Sequence, residues 1–259
     1  PDILIIGDSS IAGTSLSQDE TLASVMTQKY GLSVYSIAPA NINTFIELKN
    51  SGILESPRVV VMSRIERRIP YMPAYNEHAH LSFSDLRLNP FLQSLAVQID
   101  KVRRGNLLFY LRSRANQTRG DGIQSTVDNR MFFMEGPEAV VDTTEITMNR
   151  IVERLVNYDS YCQSIGSRFV FLPVPNKETI FWDLAGIETQ PLLIRKLISR
   201  LEARGIPSID TVELFDQVRD RGLMPYHYDD SHWSGIAVGA AAEELAKIVN
   251  IALENPQEE

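Results

Sequence analysis

Short apolar runs rich in β-branched residues alternate with longer helical patterns along most of the chain, and this rhythm limits the folds open to it. DILII (2–6), SVYSI (33–37), RVVVM (58–62), NLLFYL (106–111), RFVFL (168–172) and PSIDT (207–211) read as strands buried on both faces. Helices with recognisable ends lie between them. Ser17 and Glu20 have capping-box spacing ahead of a helix that runs through ETLASVMTQKY and stops at Gly31. Asp142 and Glu145 repeat that spacing before a long helix ending at Gly166, whose apolar stripe includes Ile146, Ile151, Leu155, Val156 and Cys162. Pro191 opens a third helix that reaches Gly205, and a fourth starts near Ser234, its small residues suited to packing on a sheet. Strand–helix alternation of this kind predicts a mostly parallel central sheet with helices on both faces. The expected fold is a three-layer α/β/α sandwich, doubly wound in the flavodoxin manner.

The 259 residues fit one domain over 1–254, followed by an acidic tail at 255–259. Two stretches break the rhythm. Residues 64–92 carry Pro70, Pro73 and Pro90 with Tyr71, Tyr75, His78 and His80, and read as an irregular excursion. Residues 112–141 carry Gly120, Gly122, Gly136 and Pro137 around MFFM, which suggests a small hairpin. Excursions from a rigid α/β core are where substrate-contacting loops are usually found, although a plain surface insertion has the same composition.

Charge and composition exclude several classes. Lys plus Arg total 25 against 33 acidic residues, for a net charge of −8, and no Lys/Arg-rich block is present. Nucleic acid and anionic membrane are therefore not expected as partners. The single cysteine, Cys162, rules out an internal disulfide and a cysteine-based zinc site, and its place on an apolar stripe makes it a core residue. No apolar run approaches the roughly 18 residues of a membrane span. The chain opens without Met at a strand-like segment and is read as a trimmed form, so the lack of a leader or anchor is uninformative.

Two segments carry chemistry. Gly7-Asp8-Ser9-Ser10 follows the first strand directly, at the sheet edge where doubly wound folds bind ligands, and it puts a serine beside free backbone N–H groups. An ordinary strand-to-helix turn would look the same. More than 200 residues later comes Pro225-Tyr226-His227-Tyr228-Asp229-Asp230-Ser231-His232-Trp233. A carboxylate two or three positions before a histidine can accept its Nδ1 proton and leave the other nitrogen free to deprotonate a serine. A polar surface loop is the alternative, and the two segments together weigh against it.

These residues resemble the SGNH (GDSL-type) hydrolase superfamily. Asp230-Ser231-His232-Trp233, the Pro173-Val174-Pro175-Asn176-Lys177-Glu178-Thr179-Ile180 segment, and Val59–Met62 leading to Glu66-Arg67 are similar to the branch of alginate and related bacterial polysaccharide O-acetyltransferases. The resemblance implies an SGNH-like fold, with Ser9 as nucleophile, His232 as general base and acid, and Asp230 orienting it. Asp229 is the rival, because most SGNH esterases space the pair as Asp-x-x-His. The resemblance also implies a periplasmic or otherwise extracytoplasmic location, no cofactor, and an acetyl donor supplied by a membrane-bound acyltransferase partner.

The chain departs from the family in three places. Ala38-Pro39-Ala40-Asn41 stands where a glycine usually serves the oxyanion hole, so a backbone N–H at Ala40 is the expected substitute. Ser63-Arg64-Ile65-Glu66-Arg67 replaces the usual Gly-x-Asn-Asp, so either Arg64 or Arg67 takes over the missing donor or they merely pair with Glu66. In the alginate enzymes Asp-x-His precedes the serine, whereas Ser9 comes first here, an order that triad geometry tolerates.

Tyr228, Tyr226, Trp182 and Trp233 are candidates for stacking on sugar rings, with Trp233 favoured for its place beside His232, although aromatics more often simply pack. His78 and His80 lack an evident third metal ligand, and Lys177 either guards the site entrance or pairs locally. The expected function is O-acetyl transfer through Ser9, His232 and Asp230 onto a bacterial exopolysaccharide or cell-wall glycan. A carbohydrate acetylesterase using water and a non-catalytic glycan-binding module are the alternatives. The net acidic charge favours a neutral glycan.

Overall fold

Ile3–Ile6 forms β1, and all four of its side chains are buried, as expected of a central strand whose two faces both meet helices. The structure, a computed structural model, describes residues 1–79, 123–141 and 143–254. After β1 come a 3-10 turn at Gln18–Glu20, helix α1 (Leu22–Tyr30), strand β2 (Val34–Ile37), helix α2 (Ile42–Asn50), strand β3 (Val59–Ile65) and a second 3-10 turn at Glu66–Tyr71. Strands β4 (Ile123–Gln124) and β5 (Phe132–Phe133) pair as a short antiparallel hairpin, the one suggested by the MFFM segment. Then follow α3 (Glu145–Ser164), β6 (Arg168–Val174), α4 (Lys177–Ile180), α5 (Leu193–Glu202), α6 (Thr211–Asp220) and α7 (Gly235–Glu254).

The main sheet has the order β2-β1-β3-β6 and every pairing in it is parallel. The chain leaves β1 to one side for β2 and returns to the other side for β3. The carboxyl end of β1 is therefore the switch point at which such sheets open a ligand crevice. Helix α7 lies against α1 and α6, with Ala237, Ala241, Ala242 and Ala246 buried. This is the doubly wound α/β architecture that the alternation predicts.

Several local expectations change. Strand β2 is only partly buried, with Tyr35 exposed, and among the described residues it pairs on one side only, with β1. Residues 207–211 form a single bridge, Ser208 to Phe171, rather than a strand, since Thr211 already starts α6. Ser17 and Glu20 do make a reciprocal capping box, but it closes the 3-10 turn; α1 is capped separately by the Thr21 hydroxyl. Ile146 is exposed in the first turn of α3, so the buried stripe begins at Thr147 and Met148. Strand β3 continues to Ile65, and the first excursion starts only at the turn beyond it. The strand expected at 106–111, His80, the Asp142 cap, the remainder of both excursions and the 255–259 tail lie outside the described residues.

Candidate active site

Ser9 stands immediately beyond β1, in a turn held open by Gly7. A Cβ at Gly7 would lie 2.3 Å from Ile11 Cγ1 and 3.3 Å from Ser63 Cβ, so no side chain fits there. Asp8 secures the same turn. Its Oδ1 accepts from the Ser10 N–H at 3.1 Å and its Oδ2 from the Ile65 N–H at 2.8 Å, which ties the ends of β1 and β3 together. Asp8 is thus a scaffold residue, and Ser9 is left exposed at the switch point.

The C-terminal loop reaches Ser9 from the other side. Tyr226 and Trp233 form an antiparallel bridge, and both rings pack on Phe215 of α6, with centroids 5.9 and 6.2 Å away. Residues 227–232 are carried out from that buried base. His232 Nε2 sits 2.9 Å from Ser9 Oγ, and His232 Nδ1 sits 2.6 Å from Asp230 Oδ1. The His232 backbone N–H also donates to Asp230 Oδ1, at 3.0 Å. It is Asp230 and not Asp229 that meets the imidazole; Asp229 is exposed on the wall of the adjoining cavity.

Burial alone would raise the Asp230 carboxyl. Hydrogen bonds from His232 and from the Ser15 hydroxyl outweigh it and hold the carboxyl well below the usual carboxylate range. Ser15 had no sequence signal pointing to it. Its φ of 67° is the only left-handed backbone among the described non-glycine residues, a strain of the kind found where a side chain must be aimed. A cavity of about 490 Å³ opens beside the triad, lined by Ser15, Met134, His227, Asp229, Asp230, Ser231 and His232. A second, of about 520 Å³, adjoins it at Met134 and carries Arg67, Arg68 and Arg150.

Other expected site residues fall elsewhere. The Ala40 N–H donates to Gly7 O at 2.7 Å and is unavailable as the oxyanion donor expected of it. The Ser9 N–H, by contrast, has no hydrogen-bond partner among the described residues. Asn41 caps α2, its side chain accepting from the Asn43 N–H at 2.9 Å. Arg64 is half-buried, with Asp8 close enough to support its charge against the burial that weakens it. Arg67 donates to Asn176 Oδ1 at 3.3 Å and lies 3.9 Å from Glu135, so it belongs to the second cavity and not to the triad.

Trp233 is fully buried and cannot present a face to a sugar. Its Nε1–H donates to Ser10 O at 3.1 Å and joins the loop of His232 to the turn of Ser9. Tyr226 is buried as well, whereas Tyr228 is partly exposed beneath the Arg130 guanidinium, 5.2 Å from the ring centroid. Lys177 does not guard an entrance and forms no ion pair among the described residues; it is buried, and its ammonium donates to backbone carbonyls of the loop that carries Asp230 and His232. His78 is exposed beside Glu77. No group of three or more metal-ligating side chains occurs among the described residues.

Glu66 is buried with its Oε2 accepting from the Asn176 N–H at 2.9 Å and the Thr179 hydroxyl at 2.5 Å. Burial pushes its carboxyl up to about 7 against those two bonds, and the neighbouring Glu178 adds to the rise. Cys162 is buried in the core, which raises its thiol. No described helix is long and apolar enough to cross a membrane.

Residues 131–259 match the family of SGNH hydrolase-like domains described by the acetyltransferase AlgX. The match takes in Lys177, Asp230 and His232; Ser9 lies before it and reaches them through the fold. No curated protein sequence matches the chain. Among solved structures, a lipase/acylhydrolase from Enterococcus faecalis is 12% identical, with all of both chains covered and a TM-score of 0.49. A member of the lipolytic G-D-S-L family from Veillonella parvula is 11% identical over 95% of this chain and 96% of its own, with a TM-score of 0.47. The aryl esterase of M. smegmatis is 10% identical over 96% and 98%, with a TM-score of 0.44. Residues 131–259 belong to this SGNH hydrolase-like, AlgX-described family.

Proposed function

We propose that the protein is an O-acetyltransferase that moves an acetyl group onto a bacterial exopolysaccharide or cell-wall glycan. One observation carries the reading: Ser9, His232 and Asp230 form a continuous hydrogen-bonded chain, with links of 2.9 and 2.6 Å, at the switch point of an AlgX-like domain. In the first step His232 Nε2 takes the Ser9 proton while Oγ attacks the acetyl carbonyl carbon. The Ser9 N–H faces the developing oxyanion, and the imidazolium returns its proton to the departing donor oxygen. In the second step a sugar hydroxyl loses its proton to the same nitrogen and attacks the acetyl-serine. The acetylated sugar leaves and Ser9 regains its proton. Asp230, held ionised, keeps the Nδ1 proton in place and stabilises the imidazolium in both steps.

In the cell the acetyl donor would come from a membrane-bound acyltransferase partner, and the site of action would be extracytoplasmic. The AlgX-like membership supports both. The test incubates the protein with 4-nitrophenyl acetate and a panel of neutral and acidic oligosaccharides, and reads the products by mass spectrometry. Acetylated sugar formed by the wild type and absent with Ser9→Ala is the expected result. Free acetate alone would identify an esterase, and equal rates for wild type and Ser9→Ala would overturn the triad.

A further inference from the structure

The loop that carries Asp230 and His232 has little regular structure of its own. Its ends are joined by the Tyr226–Trp233 bridge and by the Ser234 N–H donating to Pro225 O at 2.8 Å. Between those ends the loop carbonyls turn inward, towards a single side chain from a distant part of the chain. Lys177 Nζ donates to His227 O at 2.5 Å, to Tyr228 O at 2.7 Å and to Asp230 O at 3.2 Å. The Phe133 ring, 5.7 Å from Nζ, closes the cage, and the lysine is fully buried.

We propose that Lys177 is a positioning residue of the active site, an internal ammonium around which the catalytic loop is folded so that Asp230 and His232 meet Ser9. The proposal rests on the acyl-transfer reading above. An ammonium has three N–H donors and no acceptor, which matches three converging carbonyls. A buried lysine charge is costly unless such partners surround it, so a purely packing role would be better served by Met or Leu. Lys177 opens α4 just after β6, a rigid base at the same carboxyl-terminal end of the parallel sheet as Ser9. The charge is also poised to change. Burial pulls the ammonium down to about 8, while Glu178, Asp230 and Asp229, the charged groups that face it, hold it up. A neutral amine keeps two donors and turns a lone pair on the third carbonyl, so deprotonation loosens the loop.

The test measures kcat and KM for 4-nitrophenyl acetate across neutral to strongly alkaline pH, corrected for background hydrolysis, for the wild type, Lys177→Met, Lys177→Arg and Ser9→Ala. Near-UV circular dichroism monitors folding. Misplacing the loop by about 1 Å is expected to lower kcat of Lys177→Met about 10²-fold with little change in KM. The wild type is expected to lose kcat as pH rises through about 8. Lys177→Arg, whose guanidinium stays charged, is expected to be slower but to lack that alkaline fall. A folded Lys177→Met with wild-type kcat overturns the proposal. So does a wild-type profile with no alkaline fall, a result that stands even if neither variant folds. If Ser9→Ala keeps wild-type rates, it is the acyl-transfer reading that fails. If Ser9→Ala is inactive while the Lys177 results are negative, only the role of Lys177 fails.

Discussion

His232 Nε2 and Ser9 Oγ lie 223 residues apart in the chain and 2.9 Å apart in space. The contact joins two rigidly rooted segments, the Gly7–Ser10 turn at the end of β1 and the loop based on Tyr226 and Trp233. Asp230 reaches the other imidazole nitrogen from only two residues away, its carboxylate also bound by the His232 N–H and by Ser15. Asp230→Asn keeps the shape but no longer holds the Nδ1 proton, and kcat should fall by about 10³- to 10⁴-fold. Asp229→Asn should stay within about threefold of wild type, since exposed rim charges contribute little. Steady-state hydrolysis of 4-nitrophenyl acetate by both variants checks the pair, and a larger loss in Asp229→Asn than in Asp230→Asn would reject the Asp230 assignment.

Trp233→Phe tests whether the ring is scaffold or sugar platform. The substitution deletes the hydrogen bond to Ser10 O and leaves that carbonyl buried without its donor. A stability loss of about 1–3 kcal/mol follows, read as a lower urea midpoint. The turn of Ser9 and the loop of His232 lose their direct tie, so kcat should drop while KM for an oligosaccharide acceptor stays unchanged. A rise in KM alone would point to direct sugar contact and contradict the burial of the ring.

Which parts of this arrangement are legible in the sequence follows from how locally each is determined. Strands β1, β3 and β6 show as unbroken apolar runs because both faces of each are covered. The same composition in β2 hides its partial burial, which depends on what pairs beside it. Ser9, Asp230 and His232 are readable because each sits in a short motif of fixed spacing. Ala40 misleads because its N–H is taken by Gly7 O, a tertiary contact with no trace in residue type. Trp233 misleads for a related reason: adjacency to His232 fixes its place along the chain, not the direction its ring points. Lys177 and Ser15 bond across 53 and 215 residues respectively, and no pattern of period or spacing encodes such contacts.

Gly7 is a test of the nucleophile turn. A methyl at this position would meet Ile11 Cγ1 at 2.3 Å and Ile11 Cβ at 2.8 Å, far inside van der Waals contact. Relief requires Ile11 to leave its rotamer or the turn to shift, at a cost of about 1–3 kcal/mol. Gly7→Ala should therefore lower the thermal midpoint and also slow the labelling of Ser9 by a fluorophosphonate, because the shift moves Oγ relative to His232. Unchanged labelling in a destabilised protein would show that Ile11 absorbs the strain by itself.

Glu66 sets an opposite pH dependence from Asp230. Its folded-state carboxyl is raised from 4.5 to about 7, chiefly by burial, with Glu178 adding to the rise and Thr179, Asn176 and Arg67 opposing it. A raised carboxyl means that the folded state holds the proton more tightly than the unfolded chain does. The associated stability is fully present below pH 4.5 and is lost as pH rises through about 7. The loss is on the order of 3 kcal/mol over that window. Asp230, depressed instead, contributes stability that is present at neutral pH and lost only in strong acid. Glu66→Gln cannot ionise, so its urea midpoint should be nearly flat where the wild-type midpoint declines between pH 4.5 and about 7. Both proteins keep an acceptor for the Asn176 N–H and the Thr179 hydroxyl, so the difference isolates the charge. A wild-type midpoint that rises through this window, or parallel curves for the two proteins, would show that Glu66 stays ionised and that its charge is compensated within the fold.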